Sequence, residues 1–264
     1  MLIEHPKLRP FADFFYIPLF GNKSTFSGWG LNTIHQVPWD KKYENNFLET
    51  HNHVKSFFDF APSITNLKPE LMEKHMWRHW IVVYAIRHAI KSTKIKQKMF
   101  VECGVSIGLT AFFALREISF HNIENFYFHL YDSWEPMKKE FLLESELSSV
   151  GKYDNMTIEI TKQNLHDFKE NTVYHQGYIP NSFNVMPESP EHIVYLHIDL
   201  NAAKPTISTL EYFLPRLEPG GVILFDDYGW MPYFDTKNVV DEFFHDKPGT
   251  LLKLPTGQAI YFHN

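Results

Sequence analysis

Two apolar runs in the last third of the chain each end in carboxylate. I-V-Y-L-H-I-D closes on Asp199, and G-V-I-L-F-D-D closes on Asp226 and Asp227. With the intervening N-A-A-K-P-T-I-S-T-L-E-Y-F-L they read as strand, helix, strand, a unit of an open parallel sheet whose ligands bind outside the carboxyl ends of the strands. Three acids converging on that edge are more than solubility requires and point to a divalent cation or to proton transfer. Without a cation, neighbouring carboxylates repel and one is driven to hold a proton. The plainer use of Asp226-Asp227 is a turn and helix cap before Tyr228-Gly229. His197 lies two residues before Asp199, on the same strand face, where histidines are more often packed than catalytic; His79 and His175 have weaker claims.

A second constellation is the loop Glu102-Cys103-Gly104-Val105-Ser106-Ile107-Gly108, between an apolar strand and an apolar helix. As a nicotinamide site it fails, because G-x-x-x-G lacks the tight turn of G-x-G-x-x-G. As a G-x-S-x-G nucleophile elbow it offers Ser106, with Asp226 and then His245 or His263 in hydrolase order. The context differs, however: this is the first convincing strand, and no oxyanion segment precedes it. As an S-adenosylmethionine loop, Gly104 and Gly108 permit close backbone approach to the cofactor's amino-acid tail. Glu102 can accept hydrogen bonds, and Asp132, ending the next strand, can grip a ribose diol. A helix cap over S-W-E-P is the competing use of Asp132.

The ordered blocks V-E-C-G-V-S-I-G, L-Y-D-S-W-E, Q-G-Y-I-P-N-S-F, H-I-D-L-N-x-x-x-x-T-x-x-x-L-E and L-x-P-G-G-V-I-L-F-D-D-Y-G resemble the class I methyltransferases of the macrocin O-methyltransferase family over residues 99 to 264. The resemblance implies methylation of a sugar or small-molecule hydroxyl, with S-adenosylmethionine and magnesium. It carries Glu102, Gly104 and Gly108 onto the cofactor loop, where Ser106 also lies, and Asp132 and Ser133 onto the ribose-binding segment. Gly177 heads a further matching block and is expected at the cofactor. Asp199, Asp226 and Asp227 fall on the metal ligands, and Asp199 is also the expected base. Oxygen ligands suit magnesium better than zinc. Two positions depart: Asn201 replaces a usual Asp, and Ala203 a usual Tyr. They motivate the alternative of a binding protein that keeps the cofactor pocket without turnover.

The elements that must position these residues follow from periodicity. A helix is expected from T-N-L-K-P-E, capped by Thr65 or Asn66, with a stripe of Met72, Met76, Trp80, Val83, Ile86 and Ile90, and with K-S-T-K-I-K-Q-K as a solvated end. Strands are expected at M-F-V-E-C, F-Y-F-H-L-Y, T-V-Y-H-Q, the two acid-terminated runs, T-L-L-K-L and Q-A-I-Y-F-H, the last two as a hairpin. Helices are expected over 109–118, 155–168 and 236–245, and residues 136–153 as helix then loop. The fold class is α/β: a Rossmann-like doubly wound seven-stranded sheet with an antiparallel C-terminal element, occupying 66–264 with its core at 99–264. Residues 1–65 form an aromatic-rich arm or lid, and self-association through it is an expectation.

With 264 residues and 44% apolar content, the chain can bury one large core. Its net charge of −6 and scattered Lys and Arg give no nucleic-acid footprint. Cys103, alone, excludes an internal disulfide framework. Neither a signal-peptide pattern nor a run near the roughly 18 apolar residues of a membrane span is present. A cytoplasmic protein is the expectation.

Overall fold

The computed structural model describes His53, Ser56 and Phe57 and residues 76–230, 233–254 and 256–264. Most of the expected arm, the caps at Thr65 and Asn66, and Met72 lie outside the described residues. The sheet has seven strands: β1 (Lys98–Cys103), β2 (Phe126–Asp132), β3 (Thr172–Gln176), β4 (Ile193–Ile198), β5 (Leu217–Phe225), β6 (Thr250–Lys253) and β7 (Ala259–Phe262). They lie in the order β3-β2-β1-β4-β5-β7-β6. β1 to β5 pair in parallel, while β7 runs antiparallel to both β5 and β6. This is the doubly wound class expected. β4 is buried along its whole length, as a central parallel strand covered on both faces must be, which is why it is apolar without alternation.

Helices cover both faces. Against one lie α1 (Met76–Ser92), α2 (Leu109–Phe120) and α3 (Ile158–Asn164), whose apolar side chains pack with Phe100, Phe128, Val194 and Leu224. Against the other lie α4 (Ala203–Phe213) and α5 (Phe234–Phe244), packed on Val101, Leu196, Ile198, Ile223 and Phe225. The arm's described residues touch the first face: Phe57 is buried in its core, and His53 Nε2 lies 2.6 Å from Glu117 of α2. Among the described residues no helix is long and apolar enough to cross a membrane.

Three local expectations are corrected. The basic run after α1 is not wholly a solvated helix end. Lys98 belongs to β1, is buried, and donates to Thr93 O, Thr93 Oγ1 and Ile95 O at 3.2, 2.8 and 3.1 Å. Residues 136–153 hold two short 3₁₀ turns, Lys139–Phe141 and Glu144–Ser149, in place of a helix. The helix expected over 155–168 is a short α3, capped by Thr157, followed by a separate 3₁₀ turn at His166–Phe168.

Candidate active site

The carboxyl ends of β1, β2, β4 and β5 open on one cavity of about 540 Å³, lined from Glu102 and the glycine loop through Asp132 and Gly177 to Asp199, Asp226 and Asp227. The loop leaves β1 at Gly104 with φ +89°, and a Cβ there would stand 1.9 Å from Asp199 O. Only glycine fits so close an approach in the left-handed region. Gly104 N donates to Tyr131 O (2.8 Å), and Asp199 N donates to Cys103 O (2.9 Å), so neighbouring strands hold the turn.

Asp132 has a more particular place than its position implied. Its Oδ2 accepts from Val105 N (2.7 Å) and Ser106 N (2.8 Å), and its Oδ1 accepts from Trp134 N (2.7 Å). It therefore clamps the glycine loop as well as lining the cavity. A carboxylate offers about four acceptor positions, so one remains, on Oδ1. The other side of the loop is tied to α3: Thr161 Oγ1 donates to Ser106 O (2.6 Å) and Asn164 Nδ2 to Ile107 O (2.7 Å). Gly177 N donates to Asp132 O (2.9 Å). The Ser133 hydroxyl turns back to Glu135 O (3.0 Å).

Glu102 is buried at the cavity floor, and its Oε2 accepts no hydrogen bond. Burial pushes its carboxyl pKa up. His197, paired with Glu102 in register across β1 and β4, places Nδ1 3.8 Å from Glu102 and Nε2 4.0 Å from Asp226. Burial opposes its charge, but Glu102 and then Asp226 outweigh that and raise its pKa. The ring is fully buried.

The three acids do meet: each offers an oxygen within 4.8 Å of the others. Burial, then Asp226, raises the Asp199 pKa; burial, then Asp199 and Asp226, raises that of Asp227 well above the carboxylate range. Asp227 Oδ2 is buried and accepts no hydrogen bond. Of the groups around them, sequence reasoning singled out Asn201 and missed Arg78, Gln258 and Tyr153. Arg78 of α1 donates from Nη2 to Asp199 Oδ2 (3.1 Å) and to Asp226 Oδ2, and from Nε to Asp226 Oδ1 (3.2 Å). Gln258 Nε2 donates to Asp226 Oδ1 (2.8 Å). Asn201, in the left-handed region at φ 55°, donates from Nδ2 to Asp199 Oδ1 (3.2 Å) and accepts from Tyr153 OH (2.9 Å). Asparagine and aspartate tolerate that conformation best after glycine. The one signal for Arg78 was a lone arginine at the head of an apolar helix.

The hydrolase arrangement does not assemble. Asp226 is engaged by Arg78 and Gln258. His263 pairs with Gly220 and Gly221 at the opposite end of β5, and His245 is exposed beyond α5. His79 and His175 pack as expected, stacked on Phe113 and Tyr131 at 4.0 and 3.9 Å between ring centroids.

Residues 101–228, which supply most of this cavity's lining, match a family model described as a methyltransferase domain. The chain has the fold of the class I methyltransferases. Solved structures agree on the fold. The O-methyltransferase NovP superposes with a TM-score of 0.62 at 17% identity, covering 72% of this chain and 80% of that one. The calicheamicin methyltransferase CalS11 gives 0.58 at 16% identity, covering 86% and 94%. Its apo form, described as a TDP-rhamnose 3'-O-methyltransferase, gives 0.52 at 16%, covering 86% and 96%. No curated protein matches the sequence. Within this fold the glycine loop and the acid cluster share one chamber.

Proposed function

We propose that this methyltransferase transfers the methyl group of S-adenosylmethionine to a hydroxyl of a small molecule or sugar, with magnesium at the acid cluster. The observation that carries the reading is the joining of the glycine loop and the three acids in one cavity. Gly104 and Gly108 let the loop pack against Asp199 and α3, so that its backbone lines the cofactor's place, and the unpaired Oε2 of Glu102 receives its ammonium group. The remaining position on Asp132 Oδ1 takes a ribose hydroxyl beside Ser133, with Gly177 at the rim. In the transfer the acceptor oxygen forms a bond to the methyl carbon as the carbon–sulfur bond breaks, and the hydroxyl proton passes to Asp199.

Asp199, Asp226 and Asp227 fit a magnesium site: the donor set is all oxygen, its ligand atoms converge, and one buried oxygen of Asp227 has no other partner. Magnesium bound there supplies Lewis acidity that lowers the acceptor hydroxyl's pKa. The NovP and CalS11 descriptions as O-methyltransferases favour an oxygen acceptor.

The test is S-adenosylhomocysteine release from the purified protein with a panel of sugars and vicinal-diol phenols. Asp199→Asn is expected to lower turnover by roughly 10²–10⁴ while leaving cofactor-product affinity in place, and chelator should stop the wild type until magnesium is restored. Full turnover by Asp199→Asn in excess chelator would remove both roles. Tight cofactor binding with no turnover on any acceptor would favour the binding-protein alternative motivated by Asn201 and Ala203.

A further inference from the structure

Arg78 holds oxygens that a cation at the acid cluster would need. Its Nη2 contacts Oδ2 of both Asp199 and Asp226, and its Nε takes the other oxygen of Asp226. Magnesium demands oxygens at about 2.0–2.1 Å in near-octahedral order. A guanidinium nitrogen hydrogen-bonded to those oxygens stands where such an ion would sit, and its charge repels the ion. Asp227 is different: Arg78 forms no hydrogen bond with it, and its Oδ2 remains buried and unpaired. The cluster is thus two carboxylates engaged by an internal cation and a third not so engaged. The Arg78 side chain is 29% exposed where it lines the cavity, and it projects from the start of α1 on a long, flexible stem that lets it change position.

We infer that Arg78 is an internal competitor for the divalent cation: it closes the Asp199–Asp226 pair when the ion is absent and must swing out for the ion to bind. The inference rests on the reading of the three acids as metal ligands. It makes Arg78 a positioning residue that offsets the repulsion between two neighbouring carboxylates at rest and sets how much cation is needed to open the site. A helix residue would thereby govern loading of a centre built from the sheet edge.

Mn²⁺ binding to the full chain, followed by the electron paramagnetic resonance of free ion at constant ionic strength, tests this apart from turnover. Arg78→Gln is expected to bind Mn²⁺ at least tenfold more tightly than wild type. Arg78→Lys, which keeps the charge but loses the fork that spans two carboxylates, should fall between them. Lys91→Gln removes the same charge from the exposed end of α1 and should match wild type. Adding Asp226→Asn to Arg78→Gln should abolish the gain. S-adenosylhomocysteine binding verifies that each variant is folded; if Arg78→Gln is not, Arg78→Lys alone decides by binding more tightly than wild type or not. Equal or weaker Mn²⁺ binding in the Arg78 variants overturns the competition while leaving the metal reading standing. No Mn²⁺ binding by any variant overturns both.

Discussion

Gly104 joins the two halves of the site at a single backbone contact. Its φ of +89° is unfavourable for any side chain, and an added Cβ would be 1.9 Å from the carbonyl of Asp199, the residue that heads the acid cluster. Gly104→Ala must therefore displace the glycine loop, the Asp199 backbone, or both. Stability should fall by more than about 1 kcal/mol, and S-adenosylhomocysteine affinity should drop at least tenfold, about 1.4 kcal/mol. Urea unfolding and calorimetric titration measure the two, and wild-type affinity in a folded Gly104→Ala protein would sever the loop from the cofactor. At this scale the sequence was legible where chemistry coincides with a strand end, as at Asp199, Asp226, Asp227 and Asp132. It was silent on partners brought by tertiary packing. Arg78 lies 121 and 148 residues from the aspartates it binds, and Gln258 comes from the closing hairpin. Gln258 has no local pattern that differs from an ordinary surface residue, and Arg78 has only its place at the head of an apolar helix. Asp132 was legible as a site residue, but its hold on Val105 N and Ser106 N depends on the conformation of the loop, which a residue pattern does not specify.

Strands were legible because a central parallel strand must be apolar on both faces and short, so β1, β2 and β4 stand out between turns. The 3₁₀ turns between β2 and α3 were not, since distant contacts set them. Buried Glu146 accepts Leu143 N on Oε2 (2.8 Å) and Ala203 N on Oε1 (2.8 Å). Glu146 thus caps the start of α4 from 57 residues upstream, where Ala202 has no side chain to do so. Lys98 performs the matching task beyond the end of α1. Its ammonium, whose pKa burial lowers, satisfies Thr93 O, Thr93 Oγ1 and Ile95 O where the chain turns into β1. Lys98→Met keeps the stem and leaves those buried acceptors without a donor, which costs about 1–3 kcal/mol. A urea midpoint unchanged from wild type would mean that water replaces the ammonium freely. The basic run around Lys98 resembled a solvated tail because composition alone does not distinguish Lys94 or Lys96, which face outward, from Lys98, which alternation turns inward as β1 begins.

The stability of the whole domain carries the signature of a pair that the reaction does not use. His129 of β2 and His175 of β3 are buried, with Nδ1 of one 2.9 Å from Nε2 of the other. Burial lowers the His129 pKa to about 4; burial and then the neighbouring His129 lower that of His175 to about 3. In the unfolded chain both return to about 6.5. Above that value neither state is protonated and the pair contributes no pH dependence. As pH falls through 6.5 the unfolded chain takes up protons that the folded one refuses, so stability declines until the folded pKa values are passed. Glu102, Asp199 and Asp227 are shifted upward and act with the opposite sign, and His88 and His263 add a smaller term of the same sign from partly exposed sites. The raw slope therefore mixes several groups, and the difference between wild type and His129→Leu/His175→Leu isolates the pair. Between pH 6 and 5 wild type should lose about 2 kcal/mol more than the double variant, read from urea unfolding at each pH. Parallel stability curves would mean that the pair admits a proton in the folded state. Because the two histidines lie on the β2–β3 side of the sheet, away from the acid cluster, the same comparison also shows whether that side unfolds with the β4–β5 side as one cooperative unit. A loss seen by a probe at β3 but not by one at β5 would place a weaker subdomain at the cofactor half of the cavity.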